Sequence, residues 1–297
     1  MAVVTRASER VSKVIIHIFF ILLSIIFIVP LWSIIAISLM SDADITNLGY
    51  QLLPTNPTLE AYKFIFTSSP QILNSYVVTI VVSFLGTLIF VIIGSMCAYA
   101  ISRSDFAYKS KITFYMFFTM LFGGGMVPSY ILIKTYLHMG DTIWALILPM
   151  LGNVWSIFLM RTFFQQLPSS IIESATIDGA SEMKIYTKII LPLSTPAIAT
   201  IGLLRLLDYW NAWFQAMLYI DDARLYPLQY LLQSMLRNMQ EIMKNLQDTG
   251  MIIDMGSVPM ESMRMAMAVI AIGPILLIFP FFQRYFVQGL TVGSVKG

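Results

Sequence analysis

Long apolar stretches are the feature that most constrains this chain. Six of them reach about 20 residues or more, the length a helix needs to cross the hydrocarbon core of a bilayer. Charged residues make up 11% of the 297 residues, whereas a soluble domain carries about 25%. The sequence therefore predicts an all-α membrane protein with a single transmembrane domain over 1–297. The predicted transmembrane helices are 14–39, 76–101, 112–136, 142–165, 190–217 and 265–287.

The first apolar stretch follows Arg6, Arg10 and Lys13, as the apolar core of a signal peptide would. Its apolar run is too long for that core, and no small-residue cleavage site follows it. We therefore expect a transmembrane helix that stays in the protein.

The distribution of Lys and Arg near the helix ends predicts the orientation in the membrane. With the N-terminus inside, eleven basic residues fall on the cytoplasmic side and six on the outer side. Both termini and the connection 168–189 are then cytoplasmic, and 41–75 and 218–263 are outer loops. The cytoplasmic set is Arg6, Arg10, Lys13, Arg103, Lys109, Lys111, Arg161, Lys184, Lys188, Arg284 and Lys296; the outer set is Lys63, Lys134, Arg224, Arg237, Lys244 and Arg264.

Composition and motifs exclude several classes of protein. A net charge of +2 is too small to indicate a nucleic-acid partner. With Cys97 as the single cysteine, an internal disulfide is impossible and a thiolate metal site is not expected. His17 and His138 lie far apart without other ligand-like residues near them. The chain has no nucleotide-binding loop, no zinc-protease motif and no nucleophile elbow, so we expect a non-catalytic chain that holds no cofactor.

A polar island interrupts the apolar pattern between Glu173 and Pro192. It predicts two short helices separated at Gly179, which has no Cβ and permits a sharp turn. Ser170 and Glu173 have the spacing of a capping box at the start of the first helix. Asp178 is a candidate cap for the second helix, and Pro192 is suited to begin the next transmembrane helix.

This island resembles the cytoplasmic loop of ABC importer permeases. The signature of that loop is Glu-Ala-Ala, three residues, Gly, nine residues, Ile, one residue and Leu-Pro. All spacings are intact here, and the one departure is a serine in place of the first alanine. An ordinary amphipathic connector is the alternative interpretation. The matching residues are Glu173, Ser174, Ala175, Gly179, Ile189, Leu191 and Pro192.

The resemblance implies the type I ABC importer permease fold, with six transmembrane helices and a cytoplasmic coupling helix. It implies that the loop engages separate ATPase subunits, which bind the ATP and Mg²⁺. Further implied partners are a second related permease, two ATPase copies and an extracellular solute-binding protein, with membrane lipid around a complex in the bacterial cytoplasmic membrane. The sequence alone equally permits a homodimer. The implied coupling residues are Glu173, Ser174, Ala175, Asp178, Gly179, Ile189 and Pro192.

The helix predicted at 112–136 contains a run of three glycines, Gly123–Gly125, followed by Pro128. No Lys-Ser/Thr pair follows the run and no strand precedes it, so a phosphate-binding loop is excluded. We expect a kink or an unwound turn that faces protein or a cavity, with close helix packing as the alternative reason for the glycines.

The fifth predicted helix carries polar chemistry inside the membrane. Arg205 and Asp208 are three residues apart, so they share a helix face and can pair. Because each is costly in lipid, we expect them to point inward or to lie near the outer interface. The aromatic and amide groups that follow suit a sugar, whose C–H faces stack on rings; an aromatic belt is the alternative. The candidate substrate-path residues are Arg205, Asp208, Tyr209, Trp210, Asn211 and Trp213.

The second outer loop contains apolar residues at three- and four-residue steps between Leu228 and Leu246. This spacing predicts an amphipathic helix, rich in methionine. It is suited to the membrane surface, to a second permease or to an external binding protein.

Two resemblances favour a carbohydrate substrate. The Trp210-Asn211 pair is similar to a recurrent feature of carbohydrate-type permeases, and 288–297 is similar to the tail of permeases that import complex oligosaccharides. We therefore predict a permease subunit of an oligosaccharide importer. The alternatives are an ABC permease for another nutrient, such as peptide or phosphate, and an ion-coupled secondary transporter. The latter would need acidic or histidine relays on several helices and internal repeats, which the sequence does not show.

Overall fold

The computed structural model describes residues 2–68, 70–248 and 260–292. The last five residues of the tail resemblance and part of the second outer loop lie outside these ranges. Within them, all regular structure is helical. The helices are α1 (Ala2–Ser38), α2 (Asp42–Leu48), α3 (Glu60–Ser68), α4 (Ile72–Ser102), α5 (Lys109–Leu121), α6 (Met126–Tyr130), α7 (Ile143–Ile147), α8 (Val154–Gln165), α9 (Ser169–Ile177), α10 (Glu182–Ile185), α11 (Leu191–Leu193), α12 (Thr195–Trp210), α13 (Phe214–Tyr219), α14 (Leu228–Asp248) and α15 (Met260–Val292), with π-helical turns at Ile131–Tyr136 and Tyr186–Ile190 and 3₁₀ turns at Leu148–Met150 and Ala223–Leu225.

Three described helices are long and apolar enough to cross a membrane: Val11–Ser38, Ile72–Ser102 and Met260–Ile278. Three bent pairs reach that length only when each pair counts as one span, so the described residues hold between three and six spans. The chain is thus an all-α membrane protein, and the count of six stays a prediction. The bent pairs are Lys109–Leu121 with Met126–Tyr136, Ile143–Met150 with Val154–Gln165, and Glu182–Leu193 with Thr195–Trp210.

The chain divides into two compact units. The first comprises the described parts of Met1–Pro70 and Leu236–Gly273, and the second those of Gln71–Met235 and Pro274–Gly297. In the first unit, the side chains of 11–32 on α1 are exposed, as expected of an apolar helix whose surroundings in the membrane are lipid or another subunit.

Asp42 caps the start of α15 within the first unit. Its carboxylate oxygens accept hydrogen bonds from the backbone N–H groups of Glu261 and Ser262, both at 3.0 Å, and from the Ser262 hydroxyl at 2.6 Å. These N–H groups belong to the second and third helical residues, which have no carbonyl partner inside the helix. Asp42, 219 residues before Glu261 in sequence, therefore caps this helix as a local N-cap residue would.

The core of the second unit is formed where α4 packs against α8 and α12. Tyr209 lies across Gly86, whose absent Cβ would be 2.6 Å from the ring carbon that bears the hydroxyl. The tyrosine hydroxyl donates to the carbonyl of Ile147 at 3.1 Å. Only glycine permits this approach of α12 to α4.

The three bent pairs break at different kinds of residue. The glycine run leaves 122–125 without helical structure, and the helices on either side meet at 111°, which confirms the predicted unwound turn. No atom of the described residues lies within 4 Å of a Cβ placed on Gly123 or Gly124, so close packing within this chain does not explain them. At the other two breaks, near 151–153 and at Ser194, the flanking helices meet at 52° and 81°. The sequence interpretation did not predict either break.

The predicted amphipathic helix of the second outer loop is confirmed as α14. Its first two turns are anchored in the second unit, where Leu228, Leu231 and Leu232 are buried. The backbone N–H of Leu228 donates to the hydroxyl of Thr79 at 2.8 Å.

Candidate functional site

The first candidate site is the helix α9 and the turn that ends it. Gly179 has a φ of +75°, a left-handed conformation that side chains with a Cβ disfavour. Its N–H donates to the carbonyl of Thr176, and the Ala180 N–H donates to the carbonyl of Ala175, both at 3.0 Å. These two bonds define a Schellman motif. The prediction of two short helices separated at Gly179 is confirmed.

The predicted caps of these two helices are wrong. No side chain caps α9, which follows Pro168 and begins at Ser169, so Ser170 and Glu173 lie two residues too far inside the helix to form a capping box. Asp178 lies at the C-terminal end of α9 rather than at the start of α10. Ser181 caps α10 instead, because its hydroxyl accepts from the N–H of Lys184 at 3.4 Å.

The last residues of the signature lie on the way into the next long helix. Ile189 is half-buried in the π-helical turn, and Pro192 is exposed within the one-turn helix α11. The long helix α12 begins only at Thr195. Pro192 therefore stands three residues before the position predicted for it.

One face of α9 packs against the core of the second unit, and the other is not covered by any of the described residues. Ile172 and Ala175 pack against the core cluster of that unit, which includes Ile185. Glu173 and Ile177 are exposed, and the Ile177 side chain is 86% exposed. This face of α9 is therefore open to solvent or to another protein.

The end of α4 fixes the start of α10. The Glu182 carboxylate accepts a hydrogen bond from the Tyr99 hydroxyl and pairs with the Arg103 guanidinium at 3.3 Å. One turn further on, the hydroxyls of Tyr186 and Ser95 lie 2.7 Å apart. These contacts tie the segment after Gly179 to a long helix of the core.

The second candidate site is the environment of Arg205 on α12. The guanidinium is 2% exposed; Nη1 donates to the Asp208 carboxylate at 2.7 Å and Nη2 to the carbonyl of Met150 at 2.6 Å. Its central carbon lies 4.9 Å from the centroid of the Phe90 ring and 5.2 Å from that of Tyr209, within the range of cation–π attraction. The predicted inward-pointing pair is confirmed for Arg205, whereas the Asp208 side chain is 51% exposed.

A cavity of about 430 Å³ opens beside this pair, within the roughly 300–1,000 Å³ of small-molecule sites. Asn211 and Trp213 contribute an amide and an indole, and the Asn211 Nδ2 donates to the carbonyl of Leu207 at 2.9 Å. The cavity is lined by Pro149, Met150, Gly152, Asn153, Arg205, Asp208, Asn211, Ala212, Trp213, Phe214 and Gln215.

Two of the predicted substrate-path residues do not line this cavity. Tyr209 is 1% exposed and Trp210 is 2% exposed. Since successive helical residues point about 100° apart, a helix that places Asp208 at the cavity turns its next two residues towards the core. The structure thus brings together four of the six predicted residues.

Asn153 was missed by the sequence interpretation. Its side-chain oxygen accepts from the N–H of Ser156 at 2.9 Å and so caps α8. The signal was present in the sequence, because Gly152 and Asn153 before an apolar run mark a helix start. The break that follows from this cap supplies one wall of the cavity. No group of three or more potential metal-ligating side chains converges within the described ranges.

Comparison with known proteins covers nearly the whole chain. It is 37% identical over 290 residues to the polygalacturonan/rhamnogalacturonan transport system permease protein YtcP of Bacillus subtilis, an alignment that spans 97% of this chain and 99% of that protein. A solved bacterial ABC transporter involved in the import of the acidic polysaccharide alginate matches with a TM-score of 0.77 and 28% identity, over 94% of this chain and 98% of its own. The chain belongs to the permeases of carbohydrate ABC transporters.

A third similar protein comes from another organism. The trehalose/maltose transport system permease protein MalG of Thermococcus litoralis is 31% identical over 298 residues, covering 97% of this chain and 99% of that protein. No protein-family model matches the chain. These relatives are transport permease subunits, which confirms the predicted family and does not favour a peptide, phosphate or ion-coupled transporter.

Proposed function

We propose that this permease is the membrane subunit of an importer that moves an oligosaccharide into the cell, driven by separate ATPase subunits. The observation that carries the proposal is the similarity to carbohydrate permeases over 97% of the chain. The exposed α9 and the polar cavity at Arg205 give that similarity a physical basis in this chain.

The cavity beside Arg205 is proposed as part of the sugar path. A sugar needs a flat apolar surface for its C–H faces and polar groups for its hydroxyls; Trp213 supplies the first, and Asp208 and Asn211 supply the second. Arg205 is 2% exposed and already bonded to a carboxylate and a carbonyl, so it acts on the shape of the cavity rather than on the sugar. Tyr209 and Trp210 are buried in the core behind the cavity wall and stabilise its position.

This distribution of charge favours uncharged parts of a glycan at this cavity. The Asp208 carboxylate is half-exposed to the cavity, whereas the Arg205 guanidinium is buried. A second carboxylate brought by an acidic sugar would meet a like charge. If the substrate is acidic, like the alginate handled by the solved transporter, we propose that its carboxylates bind elsewhere in the complex.

Coupling to ATP hydrolysis is proposed to pass through α9. Glu173 and Ile177 offer a charge and an apolar side chain to a groove on an ATPase subunit. Ser174 keeps the exposed surface of the helix narrow, and Ala175 lets the opposite face pack closely on the core. The Schellman turn at Gly179 and Asp178 joins α9 stiffly to α10. Closure of two ATPase subunits would then move α9, and the attached helices would carry that motion to the sugar path.

The remaining parts of the proposal concern the assembly. A second related permease completes the pore, and an extracellular solute-binding protein delivers the sugar. ATP and Mg²⁺ bind to the ATPase subunits and not to this chain. The excess of Lys and Arg on one side supports cytoplasmic termini, and the similarity to carbohydrate ABC permeases supports six spans in a bacterial cytoplasmic membrane.

Gly179 provides the test of coupling. Gly179→Val places a β-branched residue at a φ of +75°, at a cost of about 1–2 kcal/mol, although the space around the new side chain is open. Gly179→Asn is the matched control, because asparagine tolerates this conformation. In the reconstituted complex, we expect the valine variant to lose binding-protein-stimulated ATP hydrolysis and uptake together, and the asparagine variant to retain most of both. Unchanged coupling in the valine variant would contradict the assignment.

Trp213 and Asn211 provide the test of the sugar path. Trp213→Ala and Asn211→Ala should reduce uptake while ATP hydrolysis in the assembled complex stays stimulated. Trp155→Ala is the control, because this tryptophan is also exposed but lies outside the cavity. Trp210→Ala is a poor test, since a buried indole costs about 3–5 kcal/mol of stability when it is removed. Uptake that survives both cavity substitutions would place the sugar elsewhere.

A further inference from the structure

A second cavity, of about 340 Å³, lies between α5 and α8 and is separate from the sugar path. It is lined at one end by Lys109 and Arg161. Neither forms an ion pair with a carboxylate of the described residues, and no acidic side chain lines the cavity. The cavity thus carries two uncompensated positive charges.

Two buried polar atoms at this cavity lack partners. The Nε atom of Arg161 and the hydroxyl of Thr113 are withdrawn from solvent and have no hydrogen-bond partner among the described residues. Buried polar groups in folded proteins are nearly always bonded. These two atoms lie too deep for a ligand in the cavity to contact, so the features of the cavity available to a ligand are its two cationic side chains and its apolar lining.

The other end of the cavity is aromatic. Phe114 and Phe117 on α5 and Phe158 on α8 line it. On α5, Lys109 precedes Phe117 by eight residues, or about 12 Å along the helix. On α8, Arg161 follows Phe158 by three residues. In the proposed topology α5 and α8 cross the membrane in opposite directions, so both helices place their cations at one end of the cavity and their rings at the other.

We propose that this cavity binds an anionic phospholipid, with the phosphate at Lys109 and Arg161 and an acyl chain along the three phenylalanines. The positive-inside distribution proposed for the permease puts the cationic end at the cytoplasmic interface and the rings deeper in the bilayer. A lipid fits both ends, whereas a free phosphate ion leaves the aromatic end unfilled.

The site is tested on the complete transporter, purified and placed in nanodiscs of phosphatidylcholine with a small fraction of phosphatidylglycerol. Bound phosphatidylglycerol is counted by native mass spectrometry, a measurement that does not depend on transport. Each basic residue near a membrane surface contributes about fivefold to the binding of anionic lipid. We expect the double variant Lys109→Gln/Arg161→Gln to bind this lipid about 25-fold more weakly.

Lys111→Gln is the matched control. Lys111 is exposed and lies outside the cavity, with its ammonium 6.0 Å from the centroid of the Tyr108 ring. It reports the general attraction of anionic lipid to a basic surface, and we expect no specific loss. The double variant Lys109→Arg/Arg161→Lys changes both side chains but keeps both charges, and we expect it to retain binding. It therefore separates the loss of charge from the disturbance of packing as the cause of weaker binding in the glutamine variant.

Three results would overturn the proposal. The first is equal loss of phosphatidylglycerol in the Lys111→Gln control. The second is full displacement of the lipid by millimolar inorganic phosphate, which would make the site one for the free ion. The third is unchanged lipid binding with separation of the permease from its partner subunit, which would make the cavity a subunit contact. A failure of sugar uptake with lipid binding intact would instead contradict the proposed function alone.

Discussion

Replacing Gly86 by alanine tests how closely the wall of the proposed sugar path is packed. The new Cβ would lie 2.6–2.8 Å from three carbons of the Tyr209 ring. That ring is 1% exposed, and its hydroxyl is bonded to the carbonyl of Ile147. The ring therefore has no free direction in which to move, and α12 must shift away from α4.

Gly202→Ala is the matched control for the size of the effect. Gly202 lies inside α12, and its added Cβ would be an ordinary 3.6 Å from a methyl group of Val91. Both substitutions replace a mid-helix glycine by alanine, so both gain about 1 kcal/mol from helix propensity. The difference between them isolates the overpacking at Tyr209, which is worth about 1–3 kcal/mol.

The assay is the thermal unfolding of the detergent-purified complex, read together with sugar uptake. For a chain of this size, 1–3 kcal/mol corresponds to a difference in Tm of about 2–6 °C between the Gly86→Ala and Gly202→Ala variants. Adding Tyr209→Leu to Gly86→Ala should cost less than the sum of the two single changes, because the smaller side chain accepts the methyl group. Equal Tm values for the two alanine variants, or additive losses in the double variant, would refute the packing argument.

Three further predictions follow from single contacts. Asp42→Ala should destabilise the folded protein by about 1–2 kcal/mol, since two N–H groups at the start of α15 lose their acceptor; the Tm checks this, and Asp42→Asn, which keeps one acceptor, should recover part of the loss. Ser181→Ala should cost about 0.5–1 kcal/mol and speed hydrogen exchange at Lys184 without changing exchange in α12. Asp208→Asn should cost about 1–2 kcal/mol, less than for a fully buried pair, because Asp208 is half-exposed and asparagine still accepts from Arg205; denaturant titration of the complex measures it, and a gain in stability would contradict the assigned pairing.

Features that depend on neighbouring residues were accessible from the sequence. The turn at Gly179, the pairing of Arg205 with Asp208 and the unwound turn after Phe122 all follow from residue types a few positions apart. The helix that begins at Leu228 follows from periodicity alone. In each case the residues that decide the conformation are themselves the residues of the pattern.

Features that depend on distant residues were not accessible. The burial of Tyr209 requires Gly86 from another helix, and the start of α15 is capped by Asp42 rather than by a residue beside it. The capping box failed for a local reason: α9 begins directly after Pro168, so the candidate serine is already inside the helix. Spacing identified the segment but could not fix its first residue.

The break in the chain between α7 and α8 has a mechanical consequence. Two carbonyls on its N-terminal side, at Ile147 and Met150, accept hydrogen bonds from Tyr209 and Arg205 of α12. These two hydrogen bonds hold the segment 143–150 and α12 together as one rigid unit. When the transporter changes between its inward-open and outward-open states, we expect this segment and α12 to move together. The passage should then widen at the interface with a neighbouring subunit rather than within this chain.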